Sequence, residues 1–277
     1  LKAIHGNIRV GGHDTFITEA CEYTNSFLHF FPKISLILNI DADHLDFFKD
    51  LEDIRNSFRL FAQKLPAEGT LIINNEIPHW QEITKDLPCR VITYGLDGDS
   101  DYQASNISYD SLGCASFDVR KDGEILGRFT LKVPGEHNVS NALAAIALAD
   151  LLEITPQQMQ QGLSDFQGTD RRFEKKGEIG GVTVIDDYAH HPTEIAATLH
   201  AAQNYPHNTL WCVFQPHTYT RTKALMDEFA QALTLADQVI LADIYAARET
   251  DTLGISSKDL ADKVAALGTE AHYLASF

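Results

Sequence analysis

The chain of 277 residues is 44% hydrophobic and carries a formal net charge of −17. It has enough apolar material for a sizeable core, better divided between two domains than gathered in one, and its acidity argues against nucleic acid or an anionic membrane as partner. No apolar run approaches bilayer-spanning length, the opening "LKAIHGNIRVGG" is polar and glycine-rich rather than a signal peptide, and Cys21, Cys89, Cys114 and Cys212 form no C-x-x-C pair, which suits a reducing cytoplasm.

In chain order, Phe16 to Ala20 reads as a short strand. Ile34 to Ile40, "ISLILNI", is a continuous apolar run and predicts a strand covered on both faces. "LEDIRNSFRLFAQKL" then spaces Leu51, Ile54, Phe58, Phe61 and Leu65 at helical intervals. "GTLIINN" and "RVITYG" are further strands with a helical segment between them, so a mostly parallel sheet with packed helices is expected. From Tyr102 to Val133 the pattern alternates, and Asp122-Gly123 marks a hairpin in a small antiparallel element. "NVSNALAAIALADLL" is an alanine-rich helix, and Thr155, Pro156 and Gln158 open another through a capping box. A charged, glycine-punctuated connector begins near Gly168. Strands "VTVIDD", "TLWCVF" and "QVILAD" then alternate with helices from about Pro192, Arg221 and Ser257, predicting a second α/β unit.

Chemistry collects where these strands end, which is where open α/β sheets bind ligands. "NIDADHLD" offers His44 with Asp41, Asp43 and Asp46, and Glu19 ends a neighbouring candidate strand. This set reads either as donors to a divalent cation or as a capped helix start. Asn138 and Asn141 share one helix face and suit either a purine edge or simple capping. Arg171, Arg172, Lys175 and Lys176 form a phosphate clamp or a solvated linker. "VIDDYAHHPTE" and "FQPHTYTRTK" place His190, His191 and His217 at two strand ends, pointing to a ligand site. The chain contains no G-x-x-x-x-G-K-[ST], G-x-S-x-G or G-x-G-x-x-G.

Six stretches in this order, "EACEYTNSFL", "NIDADHLDFF", "GEHNVSNALAAIALA", "DRRFEKKGE", "DDYAHHPTEI" and "QPHTYTRTKAL", resemble the Mur ligases of peptidoglycan synthesis. The resemblance implies an α/β fold with a central ATP-binding domain over residues 1–172, incomplete at its start. A Rossmann-like amino-acid-binding domain over 173–277 would follow, incomplete at its end. The family's UDP-sugar domain and phosphate loop have no counterpart here, so the chain by itself is expected not to turn over. "DDYAHHPTE" with "QPHTYTR" resembles the branch that joins L-alanine to UDP-N-acetylmuramate, and also its relative that recycles a murein tripeptide.

The implied reaction is ADP-forming amide ligation through an acyl phosphate, with ATP and Mg2+. By the same resemblance, Glu19 and His44 ligate magnesium, and Asn138 and Asn141 meet the adenine. Arg171 or Arg172 meets phosphate, and Asp187 the ribose side. Tyr188, His190, His191, His217 and Arg221 line the amine pocket, with His190 orienting or deprotonating the amine. Thr218 stands where the family has an arginine, leaving Arg221 to hold the alanine carboxylate. Arg59 stands where several members carry a carbamylated lysine, so a direct guanidinium contact, or none, is expected there. Outside this class, the His and Asp clusters could serve a metal-dependent hydrolase, which would turn over without nucleotide, or a non-catalytic nucleotide-binding fragment.

Overall fold

The computed structural model describes residues 4, 6–45, 47–250 and 253–275. They form two compact units that divide between Gly168 and Thr169, with the short turn Ser111–Gly113 grouping with the second. Asp170, Arg171 and Arg172 therefore belong to the second unit, not to the first as the expected boundary at 172 had it.

The first unit is built on a six-stranded sheet in sequential order. Its strands are β1 (Ile34–Ile37), β2 (Thr70–Asn74), β3 (Arg90–Gly95), β4 (Tyr102–Tyr109), β5 (Cys114–Lys121) and β6 (Glu124–Pro134). β1 to β4 pair in parallel, and β4 to β6 antiparallel. The β5–β6 turn is the expected one: Asp122 and Gly123 have φ of 51° and 84°, the left-handed pair a tight hairpin needs.

Every residue of β2 is buried, and its alternation feeds two cores. Leu71 and Ile73 join Ile37, Ile54, Leu65 and Ile83 on the side of α1 (Leu51–Ala62) and α2 (Trp80–Thr84). Ile72 faces the other way, with Ile92 and Tyr94, onto Val139, Leu143 and Ala147 of α3 (Glu136–Leu151). Each such Leu or Ile contributes about 1.5–3 kcal/mol relative to exposure. Asp150 of α3 accepts hydrogen bonds from the Tyr102 hydroxyl at 2.5 Å and Lys121 Nζ at 2.6 Å, tying the helix to β4 and β5. The capping box opening α4 (Pro156–Asp165) is present as expected, between Thr155 and Gln158.

Two expectations fail in this unit. β1 stops at Ile37 rather than Ile40 because the Asn74 amide takes the Leu38 carbonyl. Phe16 to Ala20 is not a strand. The segment pairs with no described strand, and Phe16 is 86% exposed.

The second unit opens with an antiparallel pair, β7 (Glu174–Ile179) and β8 (Val182–Asp186). Gly180 and Gly181, at φ of 59° and 82°, make its two-residue turn. This corrects two readings: the second half of the "connector" contains a strand, and "VTVIDD" pairs back on it instead of joining a parallel sheet. Parallel pairing comes later, in the sheet β11-β10-β9, formed by β9 (Trp211–Phe214), β10 (Gln238–Ala242) and β11 (Glu270–Leu274), the last unforeseen. The helices α5 (Pro192–Gln203), α6 (Tyr219–Ala224), α7 (Met226–Leu233) and α8 (Ser257–Ala266) complete the unit. Phe214, Val239 and Leu241 pack on Leu199 of α5, Phe229 of α7 and Leu260 of α8. No helix among the described residues is long and apolar enough to cross a membrane.

Candidate functional site

Each unit gathers polar groups where its strands end. In the first, the chain leaving β1 turns at His44, whose φ of 54° is left-handed. His44 Nε2 lies 3.4 Å from Glu22 Oε1 and 3.9 Å from Asp43 Oδ2, and its ring sits 4.5 Å from that of Tyr23. A cavity of about 180 Å³ beside it is lined by Glu22, Asn39, Asp41 and Asp43 over an apolar floor including Phe48 and Ile54.

The carboxylate that reaches the His44 ring is that of Glu22, and Glu19 is exposed. The cause lies downstream. Phe27, 1% exposed, stacks on Phe61 with ring centroids 4.6 Å apart, and its N–H donates to the Cys21 carbonyl, which holds Glu22 and Tyr23 over His44. No comparable anchor reaches back to Glu19. Asp46 lies outside the described residues, and no group of three metal-ligating side chains occurs among the described ones.

Asn74, at the end of β2, had given no sequence signal. It is buried and donates to the Leu38 carbonyl at 3.2 Å and to Ser140 Oγ at 3.5 Å, while its own oxygen accepts from Glu76 N. One side chain therefore joins the exit of β1 to the first turns of α3, which carries Asn138 and Asn141. The Asn138 amide donates to the Pro134 carbonyl at 2.7 Å and so fixes the helix start, whereas Asn141 is exposed. Arg59 is half-buried on α1, and its Nε has no hydrogen-bond partner.

In the second unit the predicted residues converge. Four rings follow one another, Tyr188, His190, His217 and Tyr245, with successive centroids 5.3, 6.1 and 5.5 Å apart. The Arg171 guanidinium lies 4.4 Å over the Tyr188 ring and that of Arg172 lies 5.9 Å away, within cation–π range. Arg221 NH1 donates to His217 Nδ1 at 3.4 Å. His190 Nδ1 lies 2.9 Å from the Tyr188 carbonyl, an acceptor only, so Nδ1 carries the proton and the neutral ring keeps its lone pair on Nε2.

Behind His190 stands Glu194, which sequence reading passed over as a helix-start residue. It accepts from His190 N at 3.0 Å and His191 N at 3.3 Å, and pairs with Arg172 at 3.3 Å. Burial alone would raise its pKa. The His190 backbone amide and the Arg172 guanidinium outweigh that and hold it below the usual carboxylate range.

Two predicted ligands also make structural bonds. His191 is buried as the N-cap of α5, its Nδ1 accepting from Thr193 N. Both Asp187 oxygens accept backbone N–H groups, from Phe173 and Ala189 at 2.7 Å each. Thr218 holds a φ of 68°, strained for a β-branched residue.

A Mur ligase middle domain matches residues 2–149, and a Mur ligase glutamate ligase domain matches residues 171–277. The chain belongs to the Mur ligase family. Among Mur ligases, the UDP-N-acetylmuramate–L-alanine ligase of Lachnospira eligens is 58% identical over 100% of this chain and 61% of its own length. A solved UDP-N-acetylmuramate–alanine ligase of Thermotoga maritima shares 31% identity with a TM-score of 0.71, over 90% of this chain and 53% of that one. A solved murein peptide ligase of Psychrobacter arcticus shares 27% with a TM-score of 0.61, over 91% of this chain and 51% of that one. The α/β architecture, a mostly parallel sheet continued by antiparallel strands and followed by a second α/β unit, is that of the Mur ligases. The chain spans about three-fifths of the length of the curated relatives it matches.

Proposed function

We propose that this chain carries the nucleotide- and amine-handling residues of a cytoplasmic, ATP-dependent, ADP-forming ligase that joins L-alanine to UDP-N-acetylmuramate in peptidoglycan precursor synthesis. The observation that carries the reading is the convergence of Tyr188, His190, His217 and Arg221, with His190 Nε2 left as an open base. The 58% identity to a ligase of that name supports it.

In this reaction ATP phosphorylates the muramate carboxylate and ADP leaves. The alanine amine attacks the acyl phosphate, the C–N bond forms, and phosphate departs. An α-amine with a reference pKa of about 8 must arrive unprotonated. His190 Nε2 takes its proton, while the Tyr188 carbonyl and Glu194 steady the other ring nitrogen. Arg221 meets the alanine carboxylate. Arg171 and Arg172 meet phosphate oxygens, to which a planar guanidinium donates in pairs. In the first unit Asn141, exposed, reads the adenine and Asn138 holds its helix in place. Asp187 acts on the ribose side through the turn it clamps.

Glu22 and His44 would hold magnesium, with Glu19 as a further carboxylate. So small a donor set fits Mg2+, which keeps several waters and leans on phosphates rather than on an all-protein cage. When bound, the ion would neutralise charge on the transferring phosphoryl group.

A coupled ADP-release assay tests the reading in a polypeptide of the relatives' full length, with UDP-N-acetylmuramate present. L-alanine should drive ADP release, and a murein tripeptide should not replace it. Stronger release with the tripeptide would move the assignment to the recycling ligase. Turnover with metal but no nucleotide would move it out of the family chemistry.

A further inference from the structure

We propose that Tyr245 is a specificity-determining residue, the wall at the far end of the ring row that contacts the amine substrate and limits the side chain it can carry. The inference rests on the amine-pocket reading above. Tyr245 belongs to none of the stretches that carry the family resemblance, and it is reached only through the fold.

Its backbone is held on both sides. Tyr245 N donates to the Pro216 carbonyl at 2.8 Å, and its carbonyl accepts from Thr218 N at 2.9 Å, forming an isolated parallel bridge beside His217. The chain on both sides of it is strapped to residues 215–223 as well. Gln215 Nε2 donates to the Asp243 carbonyl at 3.1 Å, Thr220 N and Oγ1 donate to Glu249, and Lys223 Nζ donates to the Leu253 carbonyl at 3.2 Å. Thr218 keeps its strained φ of 68° inside this strap.

The ring itself is not spent on folding. Tyr245 is 56% exposed, among the described residues its ring pairs with no ring other than that of His217, and its hydroxyl meets no partner among them. An aromatic side chain with a locked backbone and an unspent face is a rigid contact surface, and it loses little conformational entropy when a ligand meets it. Charge gives the row a direction. Arg171 and Arg172 lie at the Tyr188 end and Arg221 lies at His217, whereas no cation lies over the Tyr245 ring among the described residues. The phosphate-bearing partner belongs at the cationic end, the amine over the two imidazoles, and the apolar methyl of alanine at Tyr245.

The test is steady-state kinetics in a polypeptide of the relatives' full length, with L-alanine and L-leucine as competing amines. Tyr245→Ala should raise KM for L-alanine about tenfold with kcat nearly unchanged, and raise the L-leucine to L-alanine ratio of kcat/KM by about tenfold or more. Tyr245→Phe should stay near wild type. Tyr245→Trp, which keeps the ring and narrows the space, should lower the ratio, so the idea stays testable if the alanine variant does not fold. An unchanged ratio in the alanine and tryptophan variants overturns the proposal, as does a fall in kcat with the ratio fixed. Absence of any alanine-dependent ADP release in the wild-type protein would instead overturn the underlying functional reading.

Discussion

The parallel strands of the first unit are covered on both faces, with α1 and α2 on one side and α3 on the other, whereas among the described residues the three-stranded sheet of the second unit is packed on one side only. Cys212, Phe214, Val239 and Leu241 face α5, α7 and α8, and the opposite side leaves Trp211 53% and Val213 60% exposed. Parallel sheets are ordinarily buried on both faces. The difference separates two tasks. The first unit places its polar groups on a frame held by two cores. The second holds its ring row by backbone bonds and charge pairs at strand ends, at little cost in burial.

The largest effect should come from Ile73→Ala, which opens a cavity between β2 and the α1 side and should cost about 2–5 kcal/mol in chemical denaturation. Val213→Ala on the open face should stay within about 0.5 kcal/mol. Equal costs would end the contrast between the two sheets. Next is Thr155→Ala at the purely structural capping box of α4, worth about 1 kcal/mol with ligand handling unchanged.

The smallest effect comes from the capping box of α5, where His191 and Glu194 sit beside His190. Glu194 has a folded pKa held below its ordinary value of 4.5. Its contribution is therefore fully present above the unfolded pKa and is lost as pH falls through the lower folded value. Glu194→Gln should flatten the acid side of the stability profile by a modest amount, since the group is partly solvated. A profile as steep as wild type would place the acid response elsewhere.

Much of the fold was legible because it was locally encoded. The apolar runs of β1 to β3, the Asp122-Gly123 turn and the Thr155 capping box each declare themselves within a few residues. The β7–β8 hairpin was hidden because "EKKGEI" is too charged to read as strand, although Gly180-Gly181 supplied the turn signal. Glu22 is held beside His44 through packing of Phe27, and Tyr245 meets His217 through a bridge between residues far apart in sequence. Neither effect has a local signature. The titratable residues at the ends of "VTVIDD" and "TLWCVF" were legible as a cluster because each follows directly on an apolar strand.

The central claim is that His190 accepts the amine proton through Nε2. The direct measurement is the pH–rate profile of His190→Gln in a polypeptide of the relatives' full length, with L-alanine varied. The account predicts a fall in kcat/KM of about 10²–10⁴-fold, partly recovered at high pH where the amine deprotonates unaided. An unchanged rate and an unchanged KM for L-alanine across the pH range would contradict it.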